Sequence, residues 1–148
     1  MKLKDTIDKN SIEAKKSGDR AVASVLTMVR SAIKNLEIEK KGEITDDEIL
    51  SILTREVKHR KEAITQYRQG GREELAQKEE AEIKILTTYL PEQMSEEEIK
   101  QVVDKAVADV GAESPADIGK VMGKVMPQFK GKADGTLIKK VVQGALKG

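Results

Sequence analysis

The residues best spaced for chemistry lie between Asp117 and Gly135. In Asp117-Ile118-Gly119-Lys120-Val121-Met122-Gly123-Lys124-Val125-Met126-Pro127, two glycines four apart share one helical face, and each is followed by a lysine. A glycine inside a helix costs about 1 kcal/mol relative to alanine, so something must offset it. Two explanations fit: close packing against a neighbouring helix, or close approach of an RNA backbone that a side chain would block. Lys120 and Lys124 stand at i,i+4 beside the glycines. Lys130 and Lys132 follow in a loop around Gly131, and Lys139 and Lys140 lie on the next helix. A lysine reaches a phosphate as a flexible point charge. These six lysines, with Gly119, Gly123 and Gly131 allowing close approach, form the candidate RNA-binding set. Such contacts position RNA without reading its sequence. Aromatic residues are only 2% of the chain, which disfavours base stacking on single strands and favours shape recognition of a folded RNA.

No other constellation supports a reaction. His59, in Lys58-His59-Arg60-Lys61, has no sequence partner that would activate a nucleophile, and its spacing from Ile52 and Ala63 puts it at the edge of an apolar stripe. Arg55, Lys58, Arg60 and Lys61, with Arg68 and Arg72 beyond, are interleaved with Glu56 and Glu62 and read as a solvated helix face with i,i+4 ion pairs. The carboxylates of Glu73-Glu74, Glu79-Glu80, Glu82 and Glu96 to Glu98 are expected to cap helices and face solvent, without the burial that tunes a general acid. Gly131-Lys132 is followed by Ala133 and lacks the second glycine and preceding strand of a nucleotide-binding P-loop. The chain has no Cys and one His, which excludes disulfides, thiolate metal sites and paired-histidine motifs. No catalytic residue, metal ligand or cofactor is assigned.

Helical periodicity positions these residues almost everywhere, and strand alternation is not sustained. A first helix is expected over Leu3 to Lys16, with Ile7, Ser11 or Ile12, and Lys15 on one side, stopped by Gly18. Asp19 caps a second, whose Val22, Val25, Leu26, Val29, Ile33 and Leu36 make an apolar stripe ending at Gly42. Thr45-Asp46-Asp47-Glu48 is a capping box for a third, broken at Gly70-Gly71, and a fourth runs to Pro91. Ser95-Glu96-Glu97-Glu98 is a second capping box, for a helix that Gly111 ends. Ser114-Pro115 is a cap with proline at the first helical position, opening a helix that reaches Pro127. A last helix carries Leu137, Ile138, Val141, Val142, Ala145 and Leu146. The fold class is therefore all-α: a four-helix bundle over residues 1–92 and a three-helix bundle over residues 93–148.

Composition agrees. The 148 residues suffice for one domain or two very small ones. Charged residues reach 36%, and 27 basic against 26 acidic groups leave a net charge of +1. That balance hides an asymmetry: Ser114 to Gly148 holds seven lysines against two aspartates, whereas Pro91 to Glu113 holds two lysines against seven acids. No apolar run approaches the roughly 18 residues of a membrane span, and Met1 to Asn10 has no stretch like a signal peptide. The default expectation is a cytoplasmic protein with no membrane partner.

Tyr89-Leu90-Pro91-Glu92-Gln93-Met94-Ser95-Glu96-Glu97-Glu98-Ile99, then Asp117 to Pro127, then Lys130-Gly131-Lys132-Ala133-Asp134-Gly135, in this order and spacing, closely resemble the GatB/YqeY family, and the whole chain looks like its stand-alone YqeY-type member. The resemblance implies the same two helical bundles. It also implies kinship with the tail of the B subunit of tRNA-dependent amidotransferases, which transfer ammonia from glutamine onto tRNA-linked Asp or Glu. A related tail is appended to some glutaminyl-tRNA synthetases, and there it binds the body and elbow of tRNA. The resemblance thus implies a non-catalytic tRNA-binding protein, with tRNA or another structured RNA as partner. The alternative it implies is an accessory component of a carbon–nitrogen ligase with glutamine as amido-N-donor, working with amidotransferase or aminoacyl-tRNA synthetase components. The ATP- and metal-binding domain of the B subunit has no counterpart in this sequence.

Overall fold

The computed structural model describes residues 2–147. Among them are seven α-helices and one 3-10 turn, and no strand. The helices are α1 Leu3–Ser17, α2 Arg20–Lys40, α3 Asp46–Gln69, α4 Glu73–Thr87, α5 Glu96–Val110, α6 Ile118–Phe129 and α7 Gly135–Lys147; the 3-10 turn, Pro115–Asp117, precedes α6. The chain divides into two compact units, Met1–Leu90 and Pro91–Gly148. No helix among the described residues is long and apolar enough to cross a membrane.

Local chemistry sets most boundaries. Gly18 ends α1 in the left-handed conformation (φ 79°), and the Asp19 carboxylate then accepts from the Val22 N–H at 3.2 Å to open α2. The capping box at Thr45 closes with the Glu48 N–H donating to Thr45 Oγ1 at 3.2 Å and the Thr45 N–H donating to Glu48 Oε1 at 3.0 Å. Ser95 and Glu98 repeat that reciprocal pair at the start of α5, and Gly111 ends it.

Several expectations need correction. The inward side of α1 is Ile7, Ser11 and Ala14, whereas Ile12 and Lys15 face solvent, because burial follows an i,i+4,i+7 row. Lys41, not Gly42, takes the left-handed position that closes α2 (φ 55°). Helix α4 stops at Thr87, before the restriction imposed by Pro91 is felt. Pro115 opens the 3-10 turn rather than α6 itself, and α6 passes through Pro127 to Phe129. Pro127 lacks the N–H that would bond the Gly123 carbonyl, and both residues lie on the exposed side.

In the first unit Ile7, Leu26, Ile49, Leu53 and Leu86 are among the fully buried side chains that join all four helices. Helices α3 and α4, joined across Gly70-Gly71, pack on each other, and α1 packs on α2. In the second unit each helix contributes an i,i+4 row: Ile99, Val103 and Ala106; Val121, Val125 and Phe129; Ile138, Val142 and Leu146. These rows fix which residues of α6 and α7 must point outward.

Candidate nucleic-acid interface

With Val121, Val125 and Phe129 turned to the core, Gly119, Lys120, Gly123, Lys124 and Pro127 fall on the opposite, exposed side of α6. A methyl group placed on Gly119 or Gly123 would meet no neighbouring atom within 4 Å. Close helix packing therefore does not explain either glycine, and the first of the two sequence explanations is set aside. What remains is a stretch of bare helix backbone with a lysine after each glycine. The side chain of Lys120 is 71% exposed with Nζ 3.8 Å from Asp117 Oδ1, and that of Lys124 is 44% exposed with Nζ 3.8 Å from Asp109 Oδ2. Both gaps exceed a hydrogen bond, and surface pairs of this kind contribute about 0–1 kcal/mol, so the ammonium groups stay available to a phosphate.

Phe129 to Lys132 forms a type II turn. Lys130 has φ −54° and ψ 117°, Gly131 has φ 73°, and the Lys132 N–H donates to the Phe129 carbonyl at 2.8 Å. Gly131 is buried, so its glycine serves the positive φ rather than an open approach for RNA. Lys130 and Lys132 are exposed at either side of it. Ile138, Val142 and Leu146 anchor α7, which leaves Lys139 and Lys140 exposed on the outward side of that helix. Among the described residues no ion pair engages Lys132, Lys139 or Lys140. Thus α6 brings Gly119, Lys120, Gly123 and Lys124 together, the turn adds Lys130 and Lys132 directly after them, and Lys139 and Lys140 occupy a separate helix.

Asp117 links this face to the turn before it. Its carboxylate accepts from the backbone N–H groups of Glu113 at 2.9 Å and Ser114 at 3.4 Å, and these bonds, with the nearby Lys120, hold its pKa below the ordinary aspartate value.

In the first unit the basic run reads differently in three dimensions. Arg60, expected on a solvated face, is 5% exposed. Its guanidinium donates to Glu56 Oε2 at 2.8 Å, to the Glu56 carbonyl at 3.1 Å and to Glu82 Oε1 at 3.3 Å, and Glu79 lies 3.9 Å away. Glu79 and Glu82, expected to be solvent-facing, are only 20% and 16% exposed and tie α4 to α3 through this arginine. Periodicity did contain the signal, since Arg60 follows Ile49, Ile52, Leu53 and Val57 on the buried row; charge alone led to the solvated assignment. His59 is exposed beside it, bordering a cavity of about 610 Å³ with Met28, Lys78 and Arg60. Arg68, on the same helix, does stand at the surface, but it pairs with Glu73 at 3.1 Å and with Glu80, both on α4, rather than with an i,i+4 neighbour.

Among the described residues no group of three His, Cys, Asp or Glu side chains is placed to hold a metal. In outline this is an all-helical protein of two units whose distinctive surface is a glycine–lysine helix face and the turn that follows it. The chain belongs to the YqeY-like protein family, which matches residues 4–146. It is 38% identical to an uncharacterized protein of Schizosaccharomyces pombe, over 63% of this chain and 76% of that one. It is 29% identical to the mitochondrial protein "altered inheritance of mitochondria protein 41" of Pyrenophora tritici-repentis, over 88% of this chain and 73% of the relative. The protein of the same name in Vanderwaltozyma polyspora is 37% identical, over 54% of this chain and 45% of its own length. These mitochondrial relatives overturn the cytoplasmic default, which rested on the lack of a membrane-span-like run and of a signal-peptide-like stretch. Neither absence argues against mitochondria, whose targeting segments are amphipathic rather than apolar.

Proposed function

We propose that this protein binds folded RNA, tRNA above all, without catalysing a reaction, that α1–α4 form a four-helix bundle, and that α5–α7 form a three-helix bundle carrying the contact surface. The observation that carries the proposal is the exposed face of α6. Two glycines that meet no neighbour weaken the helix, and a lysine follows each. A phosphate backbone is the ligand that makes use of both features: bare helix for approach and ammonium groups for charge. The likeness of Asp117 to Pro127 to the tail of the amidotransferase B subunit supports tRNA as the first RNA to test. An accessory role beside a glutamine-dependent carbon–nitrogen ligase would use the same surface, with the catalytic groups supplied by the partner.

The test is a titration of labelled tRNA at several salt concentrations, with wild type and with Lys120, Lys124, Lys130 and Lys132 all changed to Ala. Each phosphate neutralised adds roughly 0.7–0.9 to the slope of log K against log salt, so the variant should lose a slope of about 3. Equal slopes and affinities for the two proteins would remove this surface from the proposal. Reconstituted transamidation with and without the chain separates the accessory role, which requires a change in rate.

A further inference from the structure

We infer that Gln93 is a positioning residue for the lysine turn, so that the segment leading into α5 sets where Lys130 and Lys132 stand; this rests on the RNA-binding proposal above. The Gln93 side-chain amide donates to the Gly131 carbonyl at 2.6 Å and to the Pro91 carbonyl at 2.9 Å. The Met94 N–H donates to the Lys132 carbonyl at 2.9 Å. Two successive carbonyls of the turn are therefore held from behind by two successive residues of a segment 38 positions earlier. The turn's own ring is closed by the Lys132 N–H on the Phe129 carbonyl, with the weaker Ala133 N–H contact at 3.3 Å beside it. A turn closed by so few local bonds opens readily unless something else fixes it.

Gln93 has no part in capping α5, which Ser95 and Glu98 accomplish between themselves. Its side chain instead bridges the entering segment and the turn. The consequence is pre-organisation: the backbone carrying both lysines is ordered before an anion arrives, so less freedom is lost on binding. Gln93 acts through Lys130 and Lys132 and makes no contact with RNA itself.

The experiment uses the full chain and labelled tRNA, with Gln93→Ala in the wild-type background and in a Lys130→Ala/Lys132→Ala background, and with backbone amide exchange of the free proteins at Met94 and Lys132. In the wild-type background Gln93→Ala should speed exchange at both amides. It should weaken tRNA binding about three- to tenfold, the range of one net hydrogen bond, with the salt slope unchanged. Without the two lysines, Gln93→Ala should change affinity no further, since its effect passes through them. Unaltered exchange overturns the inference whatever the RNA result. Faster exchange with undiminished binding, or an equal loss in both backgrounds, overturns it as well. Failure of wild type to bind tRNA removes the RNA proposal and the positioning role together, and that outcome is distinct from a loosened turn that still binds.

Discussion

Changing Gly119 and Gly123 together to Ala should make the protein more stable and a weaker RNA binder. Gly123 sits in the middle of α6 and Gly119 in its first turn. Alanine at the interior position gains about 1 kcal/mol and at the first turn less, so about 1.5 kcal/mol for the pair. No strain subtracts from this, because neither new methyl has a neighbour within 4 Å and neither glycine has a positive φ. For a unit of this size that corresponds to an upward shift of about 6–12 °C in the midpoint of its thermal transition. The same methyls occupy the space an RNA backbone would use, and affinity for tRNA should fall roughly tenfold, equivalent to about 1.4 kcal/mol of lost phosphate contact. The assays are thermal denaturation of the full chain, with amide exchange along α6 to locate the gain, and the tRNA titration at fixed salt. A stability loss would mean that the glycines do pack against something. A stability gain with unchanged tRNA affinity would refute the functional account of the glycines, because both would then be free of cost to remove.

Replacing Arg60 by Met keeps the side-chain volume but leaves Glu56, Glu79 and Glu82 without their shared cation. Because the arginine is buried and the carboxylates partly exposed, the first unit should lose about 2–3 kcal/mol, measurable by urea denaturation, and adding Glu82→Gln should restore part of it. A loss below about 1 kcal/mol would show that the cluster is solvated in practice. Asp117 supplies a pH dependence: its pKa is held low by the Glu113 and Ser114 N–H groups, so its contribution is complete above the unfolded value near 3.9 and disappears as pH falls through the lower folded value. Wild type should therefore lose stability in α6 on acidification more steeply than Asp117→Ala, as read by amide exchange from pH 6 to pH 3; parallel curves would exclude the effect.

Much of the fold was legible because its signals are local. The two capping boxes, the glycine stops at Gly18 and Gly111, and the i,i+4 rows of the second unit each depend on residues within a turn or two of one another. Beyond helix ends, the charged residues were misplaced where a distant partner decided. Arg60 carries a charge that argues for solvent, yet three carboxylates from α3 and α4 make its burial tolerable, and two of those lie more than a dozen residues away. Gly131 belongs to a short motif resembling the glycines of α6, but its turn geometry and its bond to Gln93 give it a different purpose. Gln93 falls within the Tyr89–Ile99 motif, but nothing local marks its side chain as a bridge, because the carbonyl it binds lies 38 residues further on.

On the α6 face local preference and tertiary packing disagree, with no visible resolution inside the fold. Glycine at 119 and 123 lowers helix propensity, and Pro127 removes a helix hydrogen bond, all on the exposed side. Alanine would fit at both glycines. Departures of a sequence from what its structure prefers are expected at functional sites, which is the sense in which the RNA proposal reads them. On the RNA proposal, the lysines after each glycine and on the following turn are matched to a partner of negative charge. The breadth of bare backbone calls for an extended polyanion rather than a single small ion, because a small ion would need only one pocket and would leave the second glycine without a purpose. Stability measurements therefore bear on the RNA proposal as much as binding does, and the opposed effects of the double alanine variant are its most direct test.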